Sequence, residues 1–389
     1  MWQIVLQFTR QSQRIFLALI FVLAAEVAFS GVLTWIFPET WYLRSFLSWE
    51  LMQRTRDFLA GRFEIVADEK LGWRNQPGYI GEKIQFDEFG ARAEIRTTPQ
   101  NRRKNRVILL GDSRINGGDK ISAENTISGF LKDKNIETLN FGTPYFSLDQ
   151  IYLSLMEKTK QFSPDIVVVG LSGENTKLLD CLYLPFCDTG VKFALVKPRF
   201  VLKKEHLILI QPNILEFLED IPASIEPLAF FHRYDDHYQK FEKFKKQQFT
   251  PLLGLIHLLK MRFEKQGDAT YQGNSLHQKT SLANKELANA LLQSMQIYAH
   301  EWNFRIILLL LPEKYEFEIA TDNSAYSELR ELAQLNQFNF IDGLKILQKE
   351  GISSLSSDGF YFTPEANRII ADSLKKFCKP ELTAKSGLH

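Results

Sequence analysis

The chain is 389 residues long, 45% hydrophobic and 24% charged, and its 47 basic and 46 acidic residues leave a net charge of +1. That length allows two or three domains, or one large domain with an insertion, while the charge balance excludes an acidic disordered chain and a dedicated nucleic-acid binder, which would carry a basic excess. Three cysteines exclude a disulfide-dense scaffold, and 31 Phe suit a large core or a chain lying against a membrane.

From Ile15 to Phe37 there is no Lys or Arg and one acid, Glu26. About 20 such residues span a hydrocarbon core. Arg10 and Arg14 precede the run, Pro38 ends it, and Glu39 comes before the next basic residue, Arg44. The basic flank predicts residues 1–14 as a cytoplasmic tail, 15–37 as a transmembrane anchor and the rest outside that membrane. A cleaved leader is the rival reading, with Ala28-Phe29-Ser30 as its small-residue site. The apolar run continues through Val32, Leu33, Trp35 and Ile36, as an anchor does. Glu26 is costly at mid-membrane. It either pairs with the helix of another membrane protein or stays protonated facing a groove. Trp41 to Phe58 mixes aromatics with Arg44, Arg54 and Arg56. It reads as a helix either at headgroup level or packed on the rest of the chain.

Arg102-Arg103-Lys104 reads as a solvated loop, with a membrane-surface role as the alternative. Beyond it strands and helices alternate. Val107 to Leu110 is a short apolar run, followed by a predicted helix from Glu124 to Lys134 and a strand at Thr138-Leu139-Asn140. A helix from Leu148 to Phe162 stops before Pro164, and Asp165 to Gly170 is apolar at successive positions, as in a parallel strand buried on both faces. Later come a helix from Leu282 to Glu301, a strand from Arg305 to Leu311 and a helix from Tyr326 to Leu335. A strand from Phe338 to Ile341 and a closing helix from Pro364 to Phe377 complete the series. This alternation predicts an α/β fold, a parallel sheet covered by helices on both sides. Residues 176–281 break the pattern and read as a largely helical insertion. Within it, Leu252 to Phe263 is apolar, as insertion core or as a membrane-dipping face.

Chemistry-bearing residues collect where strands end. Gly111-Asp112-Ser113 follows the first strand, Asn140-Phe141-Gly142 the second, and Gly170-Leu171-Ser172-Gly173-Glu174-Asn175 the third. Asp358-Gly359-Phe360-Tyr361-Phe362-Thr363-Pro364-Glu365 leads into the last helix. The carboxyl edge of a parallel sheet gathers such positions into one site. No Gly-x-Gly-x-x-Gly follows a strand, so this is not a dinucleotide fingerprint.

In this order the blocks resemble the SGNH/GDSL hydrolase family over about residues 105–175 and 282–378. Upstream, Asp68, Leu71-Gly72-Trp73-Arg74, Pro77-Gly78, Asp87 and Gly90-Ala91-Arg92 resemble the lead-in of its bacterial membrane-anchored members, and Lys197-Pro198, Leu207 and Pro212 resemble their insertion. The resemblance implies a three-layer domain over residues 105–378, preceded by a membrane-proximal and lead-in segment over 38–104 and followed by a tail over 379–389. It implies a single-pass protein of the bacterial inner membrane with its bulk in the periplasm. It carries Ser113 over as nucleophile and Asp358 as the acid that orients the base. The oxyanion donors it implies are the Ser113 N–H, Gly142 and Asn175, with Glu174 as the other occupant of the last place. No cofactor and no metal are implied.

Two positions depart from the family pattern. The base position falls on Tyr361 rather than His, and the usual oxyanion glycine falls on Tyr145. A serine hydroxyl needs an adjacent base of near-neutral pKa, whereas a tyrosine of pKa about 10 is protonated at pH 7. The chain's histidines are His206, His232, His237, His257, His277, His300 and His389, five of them in the insertion, from which a substitute base would have to reach in. His232-Arg233-Tyr234-Asp235-Asp236-His237 has metal-ligand residue types, but i to i+5 spacing separates the two His around a helix. Cys181 and Cys187 are spaced for a disulfide in an extracytoplasmic stretch, and Cys378 reads as a buried free thiol. The expectation is a serine esterase or acyltransferase acting on acylated glycan or lipid at the outer face of the membrane, weakened or inactivated by loss of the His. The alternative is a catalytically dead glycan-binding module or a structural subunit of a membrane complex.

Overall fold

A computed structural model of the chain describes residues 49–92, 105–187, 194–215, 282–318, 324–351 and 361–378, with isolated positions between them. Five strands form one parallel sheet: β3 (Asn105–Leu110), β4 (Ile136–Asn140), β5 (Ile166–Leu171), β8 (Arg305–Leu310) and β9 (Asn339–Asp342), in the order β4-β3-β5-β8-β9. Every residue of β5 is buried, as its unbroken apolar run requires.

The two-residue period of the strands sorts side chains into two cores. Ile108, Leu110, Val167, Val169, Leu308 and Leu310 point to one face. Against them pack α4 (Leu148–Phe162), α7 (Leu282–Glu301) and α9 (Ala325–Leu335). Val107, Leu109, Ile166, Val168, Ile307 and Leu309 point to the other, under α3 (Ile127–Leu131), α10 (Gly343–Lys349) and α11 (Pro364–Cys378). The result is the expected three-layer α/β architecture.

Local chemistry sets most helix ends. A capping box of Ser147 and Gln150 starts α4, and Ser163 in the left-handed conformation ends it before Pro164. The helix expected from Glu124 to Lys134 is shorter. A 3-10 turn at Ala123–Asn125 gives way to an extended Thr126, whose hydroxyl accepts from Gly129 N and starts α3 afresh. A threonine that caps the backbone locally competes with a continuous helix.

The lead-in is more structured than the sequence implied. A helix, α1 (Trp49–Leu59), precedes an antiparallel hairpin of β1 (Ile65–Asp68) and β2 (Gly72–Asn75). Trp73 of β2 is fully buried and meets Phe146 edge to face, with ring centroids 5.9 Å apart. Most of the insertion, expected to be largely helical, lies outside the described residues. Its described part includes a short helix, α6 (Leu184–Cys187), and an antiparallel hairpin of β6 (Arg199–Lys203) and β7 (His206–Ile210). Alternating β-branched and long apolar residues with a Lys204-Glu205 turn, both at positive φ, favour strands there. The insertion is tied to the main domain by a fully buried ion pair, Lys197 Nζ to Asp149 Oδ2 at 2.7 Å. Cys181 and Cys187 form a disulfide with Cα atoms 6.5 Å apart, and Cys378 is buried and free, its thiol pushed up to about 11 by burial.

Among the described residues no helix is long and apolar enough to cross a membrane. The segment 15–37 lies outside the described residues except for Phe21, Ala24 and Ala28, which are helical and exposed. The apolar stretch 252–263, the basic cluster 102–104 and Asp358 also lie outside them.

Candidate active site at the carboxyl edge of the sheet

Strand β3 runs out into Gly111, and Asp112 caps a single helical turn, α2 (Ser113–Asn116). Ser113 is the first residue of that turn, so its backbone N–H has no acceptor within the helix. Its side chain is buried, at 6% exposure. Gly142, at the end of the second strand, lets this turn sit down on the sheet, since a Cβ there would lie 2.4 Å from Asn116 N.

The sequence placed Tyr361 where the family base stands, and the structure places the phenol in a hydrogen bond with the Ser113 side chain. Burial first, then Tyr145, Asp119 and Asp112, push the phenol up to about 12. It is a proton donor at any physiological pH and no base. Its ring rests on Gly118, where a Cβ would come within 2.6 Å of Tyr361 Cζ, and Gly118 sits at φ +67°. Among the described residues no histidine is hydrogen-bonded to Ser113. His206 and His300 are exposed, and His237 Nε2 lies 3.0 Å from Asp180 Oδ1. Among the described residues no group of three His, Cys, Asp or Glu is placed to hold a metal ion, and His232 and Asp236 lie outside them.

Two residues expected as oxyanion donors have hydrogen-bond partners within the site. Asn175 Nδ2 donates to Phe146 O at 2.6 Å and to Asp112 Oδ2 at 3.3 Å, which engages both its protons. Gly142 N donates to Asn140 Oδ1 at 3.0 Å. Both residues tie site loops together. Tyr145 has φ +64° and is 39% exposed.

Behind Ser113 lies a charged cluster that the motif blocks alone did not reveal. Arg114, 3% exposed, donates from Nη1 to Asp112 Oδ2 at 2.9 Å, Ser172 Oγ at 2.9 Å and Glu174 Oε2 at 3.2 Å. Burial opposes its charge, yet Glu174, Asp112 and Glu313 outweigh that cost and hold the guanidinium ionised. Glu174 therefore serves as a partner of this cation. Glu313, in the loop after β8, accepts from Glu174 N at 3.2 Å and donates its own N–H to Glu316 Oε2 at 2.8 Å. Burial raises the Glu313 carboxyl, as does the neighbouring Glu174, and burial pushes Glu316 up to about 7. The available sequence signals were slight: Arg114 directly follows the serine, and Glu313 ends the strongest apolar run, behind Pro312.

The lead-in braces the other side. Arg92, 4% exposed, donates to the carbonyls of Asn116 at 2.6 Å, Gly118 at 2.5 Å and Ile121 at 2.5 Å. Burial lowers its pKa to about 10, against the opposing pull of Tyr361 and Asp119. Asn75 Nδ2 donates to Gly142 O at 2.9 Å, and Trp73 Nε1 to Pro144 O at 2.8 Å.

No protein-family model matches the chain, and no curated protein sequence does. Among solved structures it is similar to an acetyl xylan esterase from Geobacillus stearothermophilus, at 11% identity and TM-score 0.36, over 70% of this chain and 94% of that one. It is also similar to a GDSL-like lipase from Bacteroides thetaiotaomicron, at 13% identity and TM-score 0.33, over 72% and 91% of the two chains. A member of the lipolytic G-D-S-L family from Veillonella parvula gives 11% identity and TM-score 0.33, over 70% and 96%. Likenesses at this level decide nothing about chemistry, which has to come from the residues themselves.

Proposed function

We propose that this chain is an SGNH/GDSL-like protein whose serine-hydrolase chemistry is weakened or lost, and that the domain is held at the outer face of a bacterial inner membrane by residues 15–37. In this reading the ancestral reaction was ester hydrolysis or acyl transfer on acylated glycan or lipid. One observation carries the reading: the partner of Ser113 is the Tyr361 phenol, with its pKa pushed up to about 12. General-base catalysis contributes ~10²–10⁴-fold, and a protonated phenol supplies none of it. The engaged donors of Asn175 and Gly142 support the same conclusion, because an acyl-transfer site needs donors aimed at the developing oxyanion. Ser113, Asp112 and the sheet edge persist, so the scaffold of a hydrolase remains around an unactivated hydroxyl.

The same site supports binding as the second reading, since exposed Tyr145 and Asp119 lie near the Tyr361 phenol. Membrane attachment rests on the apolar, Lys- and Arg-free run and its basic N-terminal flank. A partner helix paired with Glu26 would account for that acid within the bilayer.

A fluorophosphonate probe tests the chemistry. The unmodified protein is expected to label little or not at all, and simple esters to turn over very slowly. Strong labelling that Ser113→Ala abolishes would overturn the inactive reading. Protease added outside intact spheroplasts is expected to digest the bulk of the chain, and protection of that bulk would overturn the orientation.

A further inference from the structure

The β6–β7 hairpin is fastened at its base. Phe200 is buried against Tyr152, and Arg199 Nη1 donates to Asp180 O and Tyr234 O, each at 2.9 Å. Along the rest of it Leu202, Ile208 and Leu209 are 37%, 40% and 39% exposed. The register pairs Val201 with Ile208 and Leu202 with Leu207. Successive residues of a strand point to opposite faces, so both faces of the distal half are aliphatic. A hairpin that meets water alternates apolar with polar residues and protects its free edges with charge. Here the polar side chains collect in the turn instead, Lys203-Lys204-Glu205-His206, all exposed. Among the described residues these two strands pair with each other and with no third strand.

Charge and position choose the occupant. An aliphatic body that ends in two lysines against one glutamate matches the layering of an anionic bilayer, acyl chains below and phosphates above. The base of the hairpin also adjoins the lead-in, where Gln211 Nε2 donates to Glu69 O at 2.6 Å in the turn between β1 and β2. The lead-in helix α1 begins at Trp49, and residues 38–48 join it to the apolar run 15–37. Eleven residues reach at most about 40 Å, which keeps this side of the domain close to that run. The unpaired strand edges limit the depth, because open edges are not tolerated in hydrocarbon. The hairpin therefore suits the boundary between headgroups and acyl chains.

We propose that the β6–β7 hairpin is a second membrane contact, its aliphatic half lying at the headgroup boundary of an anionic bilayer with Lys203 and Lys204 on lipid phosphates. The inference rests on attachment through residues 15–37 and adds the point that fixes the orientation of the domain on the membrane.

The test places the full chain in vesicles of phosphatidylcholine with phosphatidylglycerol, or of phosphatidylcholine alone. A nitroxide is attached at Leu202→Cys, at Ile208→Cys or, on the exposed side of α7, at Gln293→Cys, with the unsubstituted chain as the blank. Relaxation by oxygen, which concentrates in lipid, is compared with relaxation by a water-soluble nickel chelate. In the anionic vesicles the labels at 202 and 208 should favour oxygen, and the label at 293 the chelate. Lys203→Gln should weaken the contact about fivefold, and adding Lys204→Gln about fivefold again. High salt or phosphatidylcholine alone should act in the same direction. Labels at 202 and 208 as open to the chelate as the label at 293, in a chain that alkaline carbonate leaves in the membrane, would overturn the contact and spare the attachment. Release of the chain by carbonate would overturn the attachment and this inference with it. Spin–spin broadening at 208 that persists in detergent micelles would make a second copy the occupant and overturn the lipid contact.

Discussion

The two flanks of Ser113 are built to different rules. On the inner flank Arg114 joins Asp112, Ser172 and Glu174 in a network almost closed to solvent, with Glu313 and Glu316 behind it. On the outer flank Tyr145 and Asp119 are exposed and Tyr361 is half-buried, on or against loops braced by Arg92 and Trp73. The inner flank positions the serine turn. The outer flank carries two tyrosines. The residues that position the serine turn are thus separate from those that meet its hydroxyl.

The sharpest way to break that contrast is to disturb the inner flank. Arg114→Met leaves Asp112 and Glu313 buried, and Glu174 half-buried, without their cation. Breaking a buried ion network in this way costs about 3–5 kcal/mol. Tyr361→Phe removes one hydroxyl from the open flank and should cost about 1 kcal/mol or less. Urea denaturation of the two variants measures both. Equal losses would mean the flanks do not differ as described.

The pH dependence comes next in size. Glu316 is raised from 4.5 to about 7 by burial in the folded protein. A carboxyl with a raised folded pKa contributes stability that is fully present below its unfolded pKa and lost as pH rises through the folded one. The inner flank should therefore lose about 2–3 kcal/mol between about pH 4.5 and 7, at 1.36 kcal/mol per unit reduced for partial relaxation. Glu313, raised by burial and Glu174, adds in the same direction. Glu316→Gln should flatten the slope, read from denaturation midpoints at several pH values. An unchanged slope would place the titration elsewhere.

On the outer flank, Gly118→Ala combines a left-handed backbone with a methyl driven into the Tyr361 ring. Gly78, at φ +72° with open space around it, isolates the backbone part. Gly78→Ala should cost about 1 kcal/mol and Gly118→Ala about 1 kcal/mol more, since backbone strain and overpacking add. If the two cost the same, the ring does not rest on Gly118.

The layers of the fold were legible in the sequence because their cause is local. The apolar run of β5 and the strict period of α4 each state their own burial, and the capping residues state the boundaries. The hairpins β1–β2 and β6–β7 were not legible. Their residues are stabilised by what they pack against, as Trp73 by Phe146 and Phe200 by Tyr152, with ring centroids 5.7 Å apart in the second pair. In the site, Ser113 and Tyr361 were readable from motif order, and the structure brings them into contact. The hydrogen bonds of Asn175 and Gly142 were not readable, because a donor's partner depends on which acceptor reaches it first. Phe146 O and Asn140 Oδ1, each supplied by the second strand or the loop that follows it, reach them. Arg114 and Glu313 gave slight signals, since 200 residues separate groups that burial makes interdependent.

The last test bears most directly on the proposed loss of a base on the outer flank. Tyr361→His would put an imidazole of near-neutral pKa where the phenol now meets Ser113. An imidazole there is able to take the serine proton, and the serine turn is already held by the intact inner flank. Fluorophosphonate labelling should rise by at least about tenfold, about 1.4 kcal/mol, a modest share of the ~10²–10⁴ that a well-placed base supplies. The gain stays modest because Asn175 and Gly142 remain engaged and Tyr145 still occupies the glycine position. Adding Tyr145→Gly to Tyr361→His should raise labelling further, while Ser113→Ala in either background should abolish it. Tyr361→Phe, which removes the phenol without supplying a base, should leave labelling where it was. Should Tyr361→Phe label as well as Tyr361→His, the phenol acts by obstruction rather than by the absence of a base. If neither labels while both melt like the unmodified protein, the outer flank has lost the geometry of a hydrolase as well as its base.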